Sequence, residues 1–491
     1  MKIENIAAAL EQEGLLLEAP AVAINAEHIS CDSRQVTPGT LFVCKGLGFK
    51  EACLAQAAAK GAVCYLAQQR FETQLPALIA IDVNKAYAIA VRTLCGHADR
   101  KVRLAGVTGT VGKTTTTTML HSILSEHAGR EAGILCSRRY FDGLEEADPV
   151  LTTPEPPRIQ ATCARLAELG VPYCAVEVSS QAYKVERVYG LRFEVGVVTN
   201  IAEEHISPTE HADYTDYLEC KLRLLDNSRV AVVHAGCREL QACLERARRS
   251  CERVIVVGSE GSELWAEDVR RSGKGYTFNA RDADGSCEPY YLPMEGLHNV
   301  QDALLAIAAA KAMGVGSEAI ARGLEKVEVP GRNRYYEYED GSRVIIDFAL
   351  SELSYKASFD WIHAEHPAQR VTVICGCNCH DDERRLARQV RDLRAYADHV
   401  FITEELYGHP YPPGYYEGIS SALDAAGMPH TVVRDRPQAI RTALDGRQPG
   451  ELFVLNGALY MHATAPAARK YSSDEEVVEE YFAKRGIKRR A

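Results

Sequence analysis

The run Gly106-Val107-Thr108-Gly109-Thr110-Val111-Gly112-Lys113-Thr114-Thr115 has the residue types that phosphate binding needs. Its glycines let the backbone curl until successive N–H groups face an anion. A helix starting near Lys113 adds the positive end of its dipole. In such a loop Lys113 reaches the β- and γ-phosphates, and the Thr114 hydroxyl ligates Mg²⁺. Gly109, Thr110, Gly112, Lys113, Thr114 and Thr115 are therefore the candidate ATP-binding residues. Counted from Gly106, the spacing is one residue longer than Gly-x4-Gly-Lys-Thr. The bland alternative is a Gly-rich turn before a helix. It does not account for the apolar strand, the glycines, the Lys-Thr pair and the helical stretch occurring together.

Nucleotide chemistry also needs metal ligands. Glu177 closes the apolar run Cys174-Ala175-Val176-Glu177-Val178. The carboxyl end of a parallel strand is where α/β sheets hold ligands, and Mg²⁺ takes oxygen donors beside phosphates. The bland reading is a strand-end glutamate in solvent. His205 follows Asn200-Ile201-Ala202-Glu203-Glu204, just after another strand; a lone histidine is more often structural. Lys221, by itself, reads as a solvent-facing helical lysine. Cys375, Cys377, Cys379 and His380 offer donors of a Zn²⁺ set, but their spacing is not a common finger spacing and core or loop thiols fit them better.

Such residues must be held by a framework. Short apolar runs alternate with Ala/Leu/Arg-rich helical stretches almost throughout the 491 residues. Strands are expected at Val102–Val107, Tyr173–Val178, Glu194–Thr199, Arg229–His234, Arg253–Gly258, Arg343–Phe348, Val371–Cys375, His399–Thr403 and Glu451–Leu455. Continuous apolar runs between helices indicate parallel sheets covered on both faces, an α/β class. Polar and Pro/Gly-containing breaks near Gly96–Arg100 and Pro330–Asn333 divide the chain into 1–98, 99–330 and 331–491. The tail from Ser472 reads as a helix with a frayed end.

With 67 acidic against 56 basic residues, the net charge of -11 disfavours sequence-independent nucleic-acid binding. No apolar run is long enough for a membrane span, and the start carries no signal-peptide pattern, so a cytoplasmic protein is expected. The sixteen cysteines are scattered and read as buried free thiols.

Several motifs come in an order that resembles the Mur ligases. They are the phosphate loop, Leu151-Thr152-Thr153-Pro154-Glu155, Glu177-Val178-Ser179-Ser180-Gln181-Ala182, Asn200 to His205, Asn299-Val300 and Val329-Pro330-Gly331-Arg332. The segment Cys31 to Phe42 looks like that family's uridine-binding segment, and Ser180 to Gly190 is similar to the third-residue-adding, L-lysine type. The resemblance implies three domains: an N-terminal UDP-substrate domain, a central P-loop ATPase domain and a C-terminal Rossmann-like domain for the amino acid. It implies an ATP- and Mg²⁺-dependent ligase, a monomer, that adds an amino acid to UDP-N-acetylmuramoyl-L-Ala-D-Glu through an acyl phosphate, in peptidoglycan precursor synthesis.

The resemblance also implies roles. Lys113, Glu177, His205 and Lys221 match catalytic positions, and Thr114, Glu177 and His205 match metal ligands. Lys221 matches the family's carbamylated lysine, whose negative charge would help hold a second Mg²⁺. Ser33 and Arg34 match the uridine site; Thr152, Thr153, Ser179 and Arg187 match positions that hold the muramoyl dipeptide. Asn299, Arg332 and Asp347 match positions near the adenine, phosphates and ribose.

The third domain departs from the family pattern. Asp-Tyr-Ala-His appears as Asp347-Phe348-Ala349-Leu350, and the segment that selects the amino acid reads Glu404-Glu405-Leu406-Tyr407. Gly-Lys-Gly reads Asn456-Gly457-Ala458, while a basic pair persists as Arg384-Arg385; in the phosphate loop Val111 replaces Asn or Lys. Glu404 and Glu405 suit a cationic side chain such as that of L-lysine, and they suit a solvent-facing loop equally. Two alternatives to the L-lysine-adding ligase therefore stand: a diverged paralogue that binds precursor and nucleotide, and a ligase with another amine acceptor.

Overall fold

A computed structural model describes residues 1–46, 48–207, 210–329, 331–349, 352–368, 370–376, 383–404, 413–457, 471 and 473–490. The chain forms two compact units, one of residues 1–267, 279–290 and 302–327, the other of residues 268–278, 291–301 and 328–491.

The first unit opens with a sheet of β1 (Leu16–Glu18), β2 (His28–Ser30), β3 (Thr40–Val43), β4 (Ala62–Ala67) and β5 (Ala77–Ala80), in the order β1-β5-β4-β3-β2. Helices α1 (Ile3–Gln12), α2 (Glu51–Ala59) and α3 (Val83–Leu94) accompany it. Strands β2 to β5 run parallel, so the carboxyl ends of β2 and β3 lie side by side. Asp82 starts α3 by accepting from the N–H groups of Asn84 (2.9 Å) and Lys85 (3.1 Å), two donors a helix start leaves orphaned.

The second sheet has eleven strands: β6 (Arg103–Thr108), β7 (Gly133–Cys136), β8 (Arg139–Phe141), β9 (Glu146–Ala147), β10 (Tyr173–Glu177), β11 (Phe193–Val198), β12 (Ser228–His234), β13 (Arg253–Val257), β14 (Leu264–Ser272), β15 (Gly275–Asp282) and β16 (Cys287–Leu292). Their order is β16-β15-β14-β13-β12-β11-β6-β10-β7-β8-β9. The expected strands in this region are all present, with ends that differ by one residue. Strand β10 is buried along its whole length and pairs in parallel with β6 and β7, as an apolar run without alternation requires. The reading of wholly parallel sheets needs correction at the edges. Strands β7, β8 and β9 pair antiparallel because they follow one another through short hairpins at the sheet's edge, and the edge strand β1 pairs antiparallel with β5.

Strand β6 lies between β10 and β11, so the chain leaves it toward one edge and later returns to the other. A crevice at such a reversal is where open α/β sheets bind ligands. Helices α4 (Lys113–Ala128), α5 (Pro156–Glu168), α6 (Ser180–Lys184), α7 (Tyr214–Asp226) and α8 (Leu240–Ser250) connect the strands. A Cβ on Gly106 would come within 2.8 Å of Leu224 and 2.9 Å of Phe193, so this glycine lets α7 lie close on β6. Lys221, three residues before Leu224 and on the same helix face, is carried into the interior with it.

Helix α4 holds a titration that should show in stability. His121 is buried, its Nε2 lying 3.1 Å from the Ala132 carbonyl. Burial, aided by Arg139 and opposed by Glu131, pushes its imidazole down to about 4. Below the usual histidine range the unfolded chain therefore takes up a proton that the folded chain refuses. Stability is complete above that range and falls as the pH drops toward 4, by roughly 1.4 kcal/mol per unit. Urea unfolding should show the parent protein losing about 2 kcal/mol more than His121→Gln between pH 7 and pH 5. Equal losses in the two proteins would remove His121 as the cause.

Helices α9 (Leu297–Ala312) and α10 (Ser317–Glu325) follow the second sheet. The second unit is built on β17 (Arg334–Glu337), β18 (Arg343–Asp347), β19 (Arg370–Cys375), β20 (His399–Ile402), β21 (His430–Val432) and β22 (Glu451–Asn456), in the order β17-β18-β22-β19-β20-β21. All neighbouring pairs are parallel except β17–β18. The helices here are α11 (Glu352–Glu365), α12 (Glu383–Tyr396), α13 (Tyr415–Ala425), α14 (Arg436–Asp445) and α15 (Asp474–Ala483), the last being the expected tail helix. Arg436 at the start of α14 and Asp474 at the start of α15 form a wholly buried ion pair at 2.7 Å.

Nine of the fourteen described cysteines are buried, as expected, but Cys95 and Cys287 are exposed. Cys377, Cys379 and His380 lie outside the described residues, as do Pro330, Leu350, Glu405 to Tyr407 and Ala458. Arg384 and Arg385 belong to α12; nothing is described of their side chains.

Candidate active site

The loop between β6 and α4 is held open by contacts that the glycines permit. Gly109 has φ +153°, and a Cβ there would lie 1.9 Å from Thr199 Oγ1. Thr199 Oγ1 (2.6 Å) and Asn200 Nδ2 (3.0 Å) both donate to the Val111 carbonyl, and the Val111 N–H donates to Asn200 Oδ1 at 3.0 Å. The Thr110 N–H donates to the Asn200 carbonyl at 2.8 Å, and Thr110 Oγ1 lies 2.9 Å from the Tyr217 hydroxyl. The segment after β11 thus clasps the loop after β6. Neither Thr199 nor Tyr217 carries a sequence signal of function. Asn200 falls in a family-like motif, and no local signal connects it to residue 111.

Lys113 and Lys221 converge on one backbone carbonyl. Lys113 Nζ donates to the Gly109 carbonyl at 2.9 Å and the Thr110 carbonyl at 3.0 Å; Lys221 Nζ donates to the Gly109 carbonyl at 2.6 Å. Lys221 is 1% exposed, and its ammonium also lies 4.6 Å from the centre of the Tyr217 ring. Burial first, and the Lys113 ammonium second, push it well below the usual lysine range. Read alone, Lys221 was a solvent-facing lysine; its burial overturns that reading. A lysine whose amine is made easier to deprotonate in this way is better able to react with electrophiles such as CO₂.

Thr114 and Glu177 meet beside this pair. Thr114 Oγ1 lies 3.1 Å from each Glu177 carboxylate oxygen. Ser137, just past β7, donates to Glu177 Oε2 from its N–H (2.9 Å) and its hydroxyl (3.0 Å). Glu177 is 2% exposed, so the strand-end glutamate faces the site and not solvent. These oxygen donors suit a hard divalent cation such as Mg²⁺. Thr115, next on α4, is buried. His205 stands at the rim, with 45% of its side chain exposed, φ +59° and Nδ1 2.9 Å from Glu210 Oε1. Its ring lies 6.1 Å from that of Tyr217, which joins it to Thr110 and Lys221.

The expected dipeptide-binding residues adjoin this cluster. Thr152 Oγ1 lies 3.1 Å from Ser137 Oγ, to which it can donate. Thr153 Oγ1 donates to the Glu177 carbonyl at 2.8 Å and accepts from the Ser179 N–H at 2.9 Å. Ser179 caps α6 by accepting from the Ala182 N–H at 3.2 Å. Arg187 Nε donates to Glu155 Oε1 at 2.9 Å. The two uridine candidates sit past the end of β2. Ser33 Oγ donates to Gln56 Oε1 at 2.7 Å, whereas Arg34 is largely exposed and pairs with Asp32 at 2.8 Å.

Asn299, Arg332 and Asp347 belong to the second unit, where they surround Asn333. Asn299 Nδ2 donates to the Glu295 carbonyl at 2.6 Å and lies 3.4 Å from Asn333 Oδ1. The Asn333 N–H donates to Asp347 Oδ1 at 3.3 Å, and Arg332 donates to the Phe348 carbonyl. Asp347 ends β18 and is 4% exposed, at the carboxyl edge of a parallel sheet.

Comparison with known proteins adds a family to this geometry. Residues 107–310 match the Mur ligase middle domain. The chain is 30% identical over 465 residues to a UDP-N-acetylmuramoyl-L-alanyl-D-glutamate–L-lysine ligase of Streptococcus suis, covering 93% of each chain. It is 32% identical over 424 residues to the protein of that name from Enterococcus faecalis, covering 85% of this chain and 83% of the other. Among solved structures it is similar in fold to MurF from Acinetobacter baumannii, with a TM-score of 0.66, 20% identity and 98% of each chain covered.

Proposed function

The chain belongs to the Mur ligase family, and on that premise we propose that it is the ATP-dependent ligase that adds L-lysine to UDP-N-acetylmuramoyl-L-Ala-D-Glu in peptidoglycan precursor synthesis. A carboxylate oxygen of the D-Glu residue attacks the γ-phosphorus of ATP and ADP leaves. The amine of the incoming amino acid then attacks the acyl phosphate, loses a proton, and inorganic phosphate departs as the amide forms. Phosphoryl transfer of this kind needs positioning and charge neutralisation more than covalent help.

The observation that carries this reading is the convergence of Lys113, Lys221, Thr114 and Glu177 at the carboxyl ends of β6 and β10. The loop N–H groups and Lys113 bind the nucleotide phosphates. Thr114, Glu177 and His205 are the residues that would hold Mg²⁺, joined by Lys221 when its amine carries a carboxylate from CO₂. Bound there, Mg²⁺ would offset the negative charge that collects on the transferred phosphoryl group. Thr152, Thr153, Ser179 and Arg187 orient the muramoyl dipeptide, and Ser33 and Arg34 hold the uridine. Asn299, Arg332 and Asp347 serve the adenine, phosphates and ribose. In this scheme residues 1–98 bind the UDP end, 99–330 the nucleotide and 331–491 the amino acid, in a cytoplasmic monomer.

The test is phosphate release from ATP with the UDP-linked dipeptide and a panel of amines. Release that needs both the dipeptide and an amine, with a matching tripeptide product, is the expected result. Tight dipeptide binding without turnover on any amine would point instead to the diverged, precursor-binding paralogue.

A further inference from the structure

The proposed substrate has a diphosphate between its uridine and its muramoyl dipeptide, and no residue so far meets it. The parallel sheet of β2 to β5 puts the candidate uridine residues just past β2, and the chain past the neighbouring β3 carries Lys45. Lys45 is 9% exposed at its side chain, and its Nζ lies 4.6 Å from the centre of the Tyr87 ring. Tyr87 in turn lies beside Cys31, which opens the uridine segment and whose thiol it influences. On its other side Lys45 Nζ donates to Glu155 Oε2 at 2.8 Å. Glu155 is two residues beyond Thr153, and its second oxygen accepts from Arg187 at 2.9 Å.

Lys45 thus bridges the two ends of the proposed binding site. One carboxylate faces two cations here, Lys45 and Arg187, and both are largely buried. Burial pushes the Glu155 carboxyl up, but Lys45 and Arg187 outweigh it and hold it below the usual glutamate range. The cluster therefore holds two largely buried cations against one carboxylate, between the candidate uridine segment and the candidate dipeptide residues.

We propose that Lys45 is the diphosphate-binding cation of the UDP substrate, and that Glu155 is its exchangeable counter-ion in the free protein. This rests on the UDP-substrate reading above. On binding, Lys45 turns from Glu155 to the diphosphate, while Glu155 stays on Arg187 and keeps that guanidinium directed at the dipeptide. Lysine serves phosphates as a compact point charge, and one such charge-assisted contact is worth roughly a tenfold change in affinity or more.

Calorimetry on the full chain with UDP, uridine, ADP and the UDP-linked dipeptide tests this. In Lys45→Met, UDP and the UDP-linked dipeptide should bind at least about tenfold more weakly, with uridine and ADP within about twofold of the parent. Lys45→Arg, which keeps the charge, should recover most of the loss. Glu155→Gln should tighten UDP several-fold in the parent background, and not at all in Lys45→Met. Unchanged UDP affinity in Lys45→Met would overturn the proposal, and so would an equal loss for ADP, which marks a structural role. Failure of the parent to bind the UDP-linked dipeptide more tightly than UDP would count against the dipeptide reading, leaving the UDP arm to decide on Lys45.

Discussion

Lys113→Ala is expected to abolish nucleotide turnover, lowering kcat by roughly 10²–10³ as loss of one preorganised electrostatic contact does. Lys113 is the first residue of α4, and its ammonium lies along the loop on the Gly109 and Thr110 carbonyls. It is therefore already aimed where nucleotide phosphates would rest on the loop N–H groups. Alanine keeps the helix start, because alanine is the best helix former, so the backbone cradle persists without its fixed charge. One effect runs the other way. Lys113 helps to depress Lys221, so its removal relaxes a repulsion on Lys221 while giving up two hydrogen bonds to the loop. Phosphate release by purified variant and parent, with the UDP-linked dipeptide and L-lysine present, decides the matter. Turnover within a few-fold of the parent would show that the charge on the phosphates comes from elsewhere.

The second large effect concerns the amine. L-lysine is expected to exceed meso-diaminopimelate by at least about a hundredfold in kcat/KM, because a site lacking a partner for a buried charged group rejects its bearer strongly. The diaminopimelate-type Asp-Asn-Pro-Arg is absent, and residues 404–407 read Glu-Glu-Leu-Tyr, with no arginine to clamp a second carboxylate. Of these only Glu404 is described. Its backbone N–H donates to the Arg434 carbonyl at 3.0 Å, and its side chain accepts from the Arg436 N–H at 3.4 Å. The Arg436 guanidinium is engaged by Asp474, so it is not a substitute clamp. An acidic segment suits the ammonium of lysine and repels a distal carboxylate. The relatives from Streptococcus suis and Enterococcus faecalis are named as L-lysine ligases, which agrees. Parallel ligation assays with the two amines test it, and a preference for diaminopimelate would place the selecting residues elsewhere in the third domain.

Much of this protein was legible before folding was considered. The strands around the loop were placed to within a residue at either end, since an apolar run without alternation has few other solutions in a parallel sheet. The phosphate loop was legible for a similar reason. Its glycines, lysine and threonine are contiguous, and their conformational demands are local. What the sequence could not display were partnerships across the sheet. Ser137 reaches Glu177 from 40 positions away, Asn200 reaches Val111 from 89, and Lys221 reaches Gly109 from 112. Each depends on which strands are neighbours, and strand order is decided by long crossovers that leave no period in the sequence. Lys221 shows the difference most directly. Its spacing placed it on a helix, and a lone lysine on a helix is ordinarily solvated. Only the close approach of α7 to β6 over Gly106 turned that face inward and set the ammonium beside Lys113 in the interior. Residue type and spacing supplied the groups for the chemistry, and tertiary packing supplied the burial and proximity that alter how they ionise.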